Sequence, residues 1–139
     1  MTEDQGSIIE FSNDLTSAEA PVPLPVRTYG ATIRKAEAKV SEKGNRYAAV
    51  TLYISPDDYP ADYPTENAPE GTTMIFRRVG LDDNAPTRYR LRKFLETIGA
   101  PTAARINLSD WVGLSCNVAV KHEEFEGEVR ATVEKILKA

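Results

Sequence analysis

At 139 residues the chain is long enough for one domain with a substantial core, and its 41% hydrophobic and 27% charged residues are ordinary for a globular protein. No apolar run approaches the roughly 18 residues of a membrane helix, and no basic, apolar leader stands at the N-terminus, which predicts a cytoplasmic protein without membrane contact. A single cysteine, Cys116, and a single histidine, His122, exclude an internal disulfide and a cysteine-rich zinc site.

The net charge of -4 conceals an uneven distribution. Residues 1–26 carry Glu3, Asp4, Glu10, Asp14 and Glu19 with no base, and residues 55–72 carry Asp57, Asp58, Asp62, Glu66 and Glu70, again with none. The remainder holds all 17 bases against 11 acids. The folded part is therefore expected to be basic, which suits a polyanionic partner.

Residues 1–26 read as a flexible, acidic, proline-containing segment, disordered through residue 20, with the apolar cluster Ile8-Ile9-Glu10-Phe11 as its one exception. Pro21, Pro23 and Pro25 alternate with Val22, Leu24 and Val26 and predict an extended lead-in to the folded domain, 27–139.

From Arg27 to Ile54 the pattern is one long hairpin, turning at Ser41-Glu42-Lys43-Gly44-Asn45. Ala48, Val50, Leu52 and Ile54 take the core phase, leaving Tyr47, Ala49, Thr51 and Tyr53 outside. In the first strand Tyr29, Ala31 and Ile33 keep one phase and Ala36, Ala38 and Val40 the other. A β-bulge at Arg34-Lys35 would restore a single apolar face and bend the strand.

Four prolines, Pro56, Pro60, Pro64 and Pro69, make 55–71 a long loop, with Tyr59 and Tyr63 expected to pack on the domain edge. Thr72–Val79 is a third strand, with Ile75 and Val79 assigned inward and Phe76 and Arg78 outward. A helix follows from about Pro86 to Ile98, capped by Asn84 and stopped by Gly99, burying Leu91, Phe94, Leu95 and Ile98. Beyond Trp111, Leu114, Cys116, Val118 and Val120 point inward on a fourth strand. The turn falls around Glu124–Gly127, and Val129, Ala131 and Val133 return on a fifth. Cys116 reads as an inert core thiol, and His122 as a solvated residue at the start of the turn.

Three strands, a helix and two strands, with a bulged first strand, predict a mainly β fold. The order suits an OB-fold, a five-stranded barrel with one helix between strands 3 and 4. Three stretches, Ala-Lys-Val-Ser-Glu-Lys-Gly-Asn (38–45), Arg-Leu-Arg-Lys-Phe-Leu-Glu-Thr-Ile-Gly (90–99) and the run from Trp111 to Val133, resemble bacteriophage OB-fold single-stranded-DNA-binding proteins over roughly residues 27–137. The resemblance implies a protein that coats or protects single-stranded DNA in phage replication or recombination, in the cytoplasm of the bacterial host. It also implies phage or host replication and recombination partners, while the edge strands of a partly open barrel would allow a homodimer. Many members of the family end in an acidic, partner-recruiting tail, whereas the acidic segment here is at the other end. Ile8, Ile9 and Phe11 would either do the same work, by contacting partners or competing with DNA, or form a short strand or surface patch without a role.

Sequence-tolerant binding needs stacking rings and phosphate-neutralising bases. Tyr47, Tyr53 and Phe76 are the candidate rings, and Lys39, Lys43, Arg46, Arg77 and Arg78 the candidate phosphate contacts. Arg34, Lys35, Arg88, Arg90 and Arg92 rank second. The rival is an OB-fold that binds protein through the same exposed rings and the acidic loop. No catalytic triad, metal-ligand spacing or phosphate-cradling glycine loop is present, so neither an enzyme nor a cofactor is expected.

Overall fold

The computed structural model describes residues 7–18 and 22–139. β1 spans Thr28–Val40, β2 Arg46–Ile54 and β3 Thr72–Gly80; α1 spans Ala85–Ile98; β4 spans Ser115–Phe125 and β5 Glu128–Leu137. The strands form one antiparallel sheet in the order β3-β2-β1-β4-β5, with the helix between the third and fourth strands in sequence. No helix among the described residues is long and apolar enough to cross a membrane.

β1 serves two neighbours because it bends. Thr28–Thr32 pair with β4, and the register against β2 slips between Ile33 and Lys35, where the sequence phase changes. Beside the slip the Ile33 amide donates to the Leu114 carbonyl and the Gly113 amide to the Ile33 carbonyl, which ties β1 there to the segment leading into β4. Tyr29, Ala31 and Ile33 are buried as expected, but Ala38 and Val40 are exposed. Past the bulge β1 pairs with β2 alone, and the hairpin tip runs beyond the core. The Ser41 amide donates to the Asn45 carbonyl across the turn, and Gly44 takes φ 85°.

β2 keeps the predicted core phase, with Ala48, Val50, Leu52 and Ile54 wholly buried, although Ala49, assigned outside, is buried too, between Glu37 of β1 and the Arg77-Arg78 stretch of β3. β3 does not. The pairing runs Leu52 with Met74, Val50 with Phe76, then Ala48 with Val79, so β3 carries one extra residue around Arg77-Arg78. That bulge reverses the phase along the strand. Met74 and Val79 are the buried pair, Ile75 is 44% exposed, and Phe76 packs half-buried against the core rather than outward. A matching irregularity sits in β5, where Val120 pairs with Val133 but Ala119 with Lys135. It lets Val133 and Ile136 both join the core.

The outer strands β3 and β5 approach each other, and a side chain of β3 hydrogen-bonds across to β5. Arg78, at the β3 bulge, donates from Nη2 to the carbonyls of Val133, at 3.1 Å, and of Glu134, the extra residue of β5.

Asn84 caps α1 by accepting from the Thr87 amide, and Gly99 ends it at φ 76°. Leu95 and Ile98 are buried, with Leu91 and Phe94 packed beside them. Phe94 meets Trp111 edge-on with centroids 5.4 Å apart. Trp111, on the 3₁₀ turn Leu108–Trp111, is 1% exposed and is the largest fully buried side chain.

The acidic loop and the lead-in pack together. Tyr59 and Tyr63 pack edge-on at 4.9 Å; the Tyr63 hydroxyl donates to the Val22 carbonyl and the Tyr59 hydroxyl to that of Ala68. Leu24, from the segment assigned as flexible, is 2% exposed and belongs to the core. Its carbonyl accepts from Nε2 of His122 at 2.8 Å. His122 therefore sits within β4, opposite Ala131, because the hairpin turn is tighter than expected, with positive φ at Glu126 and Gly127. Cys116 is buried, and burial pushes its thiol up to about 11.

In the N-terminal stretch Asp14 caps a 3₁₀ turn, Leu15–Ser17, and Ile8, Ile9 and Phe11 stay exposed. The sequence expectations for residues 1–6 and 19–21, Pro21 included, lie outside the described residues.

Candidate nucleic-acid interface

The outer surface of β1, β2 and β3 is fixed by cross-strand register. Lys39 stands beside Tyr47, Glu37 beside Ala49, Lys35 beside Thr51 and Thr32 beside Tyr53. On the other flank Gly80 pairs with Tyr47, Ile75 with Thr51 and Thr73 with Tyr53. Arg77 lies in the bulge opposite Ala49, exposed.

Tyr47 and Tyr53 share this face but differ in freedom. Tyr53 donates its hydroxyl to the Glu70 carbonyl at 3.0 Å, and Gly71, at φ 92°, lies so close that a Cβ there would collide with the ring. The Arg34 guanidinium then covers the ring at 3.7 Å from its centroid. The accessible layer of that stack is the guanidinium, which promotes Arg34 from the second rank. Tyr47 is half-buried, and among the described residues its hydroxyl has no protein partner. It is the open ring of the face.

The tyrosines divide on this point. Tyr29, Tyr53, Tyr59 and Tyr63 each donate to a backbone carbonyl, whereas among the described residues Tyr47 and Tyr89 do not. Burial raises the hydroxyl pKa of Tyr29, opposed by nearby Arg27, and that of Tyr63. Tyr89 is 56% exposed on α1, with Arg92 at 5.3 Å and Lys93 at 5.6 Å from its ring centroid. The sequence reading passed over Tyr89, although an aromatic within Arg88, Arg90, Arg92 and Lys93 was a visible signal.

The cations divide in the same way. Lys39, Lys43 and Arg77 are exposed, and no acid pairs with them among the described residues. Arg46 is tied back, its Nη2 donating to the Leu81 carbonyl at 3.2 Å and its Nε lying 3.9 Å from Asp82. Lys35 pairs with Glu37 at 3.3 Å and Arg88 with Asp83 at 2.7 Å. Arg78 is held at the seam by the β5 carbonyls and lies 5.0 Å from the Phe76 ring centroid. Of the eight candidates, the structure thus gathers Lys39, Tyr47, Tyr53 and Arg77 on one face, with Lys43 at the adjoining hairpin tip. Arg46 is held at the turn after β3, and Phe76 and Arg78 lie at the β3–β5 seam.

No known family model matches the chain, and no curated protein sequence matches it.

Proposed function

We propose that this chain is a single-stranded-DNA-binding protein built on a partly open OB-type barrel, which coats the strand without regard to sequence in bacteriophage replication or recombination. The observation that carries the reading is the unpinned ring of Tyr47 on a sheet face where Lys39, Lys43 and Arg77 have no acidic partner. A base stacks on Tyr47, a second stacks on the Arg34 guanidinium over Tyr53, and the lysines and Arg77 neutralise phosphates. The Arg78 bridge between β3 and β5 supports barrel closure, with a side chain standing where strand pairing would complete the ring. The exposed Ile8–Phe11 stretch is the natural contact for replication or recombination partners in the host cytoplasm.

Anisotropy titration of labelled oligo(dT), with a duplex of equal length as control and across a range of salt, tests the reading. Single-strand preference that weakens as salt rises is expected. No binding at low salt, or no preference over duplex, overturns it in favour of a protein-binding module.

A further inference from the structure

The hollow at the seam holds two of the candidate residues that the sheet face lacks. It has a volume of about 280 Å³ and lies between β3, α1 and β5. Phe76, Phe94 and Ile136 give it an apolar floor, and Arg78, Arg90, Lys93 and Lys135 stand around it. No acid lines it, and no ion pair engages Arg90, Lys93 or Lys135 among the described residues. The larger groove that α1 also lines carries Arg46 and Arg88, matched by Asp82 and Asp83, and the unpaired Arg92 and Arg105, but no aromatic ring lines it among the described residues. Of these two hollows, the seam is the one that combines half-buried rings with cations, Arg90, Lys93 and Lys135, that no ion pair engages among the described residues.

We propose that the seam hollow is a second single-strand contact, holding one nucleotide beyond the sheet face: its base against the Phe76 edge of the floor, its phosphate between Arg90, Lys93 and Lys135. The inference rests on the single-strand reading and extends it. Arg77 stands on the sheet face and Arg78 at the seam, and adjacent Cα atoms are about 3.8 Å apart. A strand leaving Tyr47 past Arg77 therefore reaches the seam by crossing the β3 bulge, and the occupied length exceeds what the sheet face alone accommodates.

The test compares wild type with R90Q/K93Q/K135Q, and with K121Q/R130Q/K138Q as a control that loses equal charge elsewhere. All three seam positions are exposed, and thermal melting checks that each variant folds. Against oligo(dT) of about 6 nucleotides the seam variant should match the control, while against about 16 nucleotides it should bind at least about fivefold more weakly than the control. Equal behaviour of the two variants at both lengths overturns the seam contact and leaves the sheet-face reading standing. If wild type binds neither oligonucleotide, both fail. If instead a labelled peptide of residues 1–20 binds wild type and is lost only in the seam variant, with oligonucleotide binding unchanged, the hollow takes an acidic peptide and the proposal is overturned.

Discussion

Two regions of this molecule use the same residue type for opposite purposes. At the acidic end, Tyr59 and Tyr63 pack edge to edge and donate their hydroxyls to the Ala68 and Val22 carbonyls, tying a loop without bases to the lead-in. On the basic sheet face, Tyr47 has cationic neighbours and no partner for its hydroxyl among the described residues. A buried hydroxyl must be hydrogen-bonded, whereas a ring left half-open at the surface is available to a ligand. The difference separates tyrosines that hold the fold from one that can hold a base.

The largest effect expected of that division belongs to the acidic end. Leu24→Ala removes a core side chain supplied by the lead-in and should cost about 2 to 5 kcal/mol of stability, read by denaturant unfolding. The folded fraction should bind oligo(dT) as wild type does. Tyr47→Ala should do the reverse, weakening single-strand binding by about 1 to 3 kcal/mol with little change in melting temperature. Equal losses of stability in both variants would break the comparison.

Smaller effects sharpen it. Tyr63→Phe removes one hydroxyl bond to the Val22 carbonyl and should cost about 0.5 to 1.5 kcal/mol of stability without affecting binding. Lys39→Ala should lower the slope of log affinity against log salt by about 0.7, the increment of one single-strand phosphate contact, in titrations at several salt concentrations.

Alkaline pH should act on the buried groups. Folding raises the Cys116 thiol from 9.0 to about 11 by burial, and it also raises the hydroxyls of Tyr29 and Tyr63 above 10.0. A raised pKa means that the unfolded chain loses the proton first. The stability held by the thiol is thus complete below pH 9 and drains away as pH climbs toward 11, followed by that of the tyrosines above 10. Unfolding midpoints measured across that window should fall, and Cys116→Ala should remove the early part of the decline.

How far the sequence carried can be seen strand by strand. β2 was legible because a central strand with one buried face must alternate, and the β1 bulge was legible because the phase break fell inside a run of regular alternation. β3 misled because its own bulge lies at two consecutive arginines, where hydrophobicity gives no phase, and a slip of one residue exchanges Ile75 for Met74 in the core. Leu24 was missed because one buried residue in a proline-rich stretch has no periodicity to betray it. The role of Arg78 was not legible at all, since its partners are carbonyls 55 and 56 positions away. The site was half legible: composition marked aromatic and basic residues on a sheet, but which hydroxyls and guanidiniums are already engaged depends on long-range packing.

The most direct test is amide chemical-shift mapping by NMR as oligo(dT) is added to the labelled protein. The account predicts perturbations centred on Lys39, Tyr47 and Arg77, with Tyr59 and Tyr63 unmoved. A footprint centred on the acidic loop with the outer face of β2 silent would contradict it.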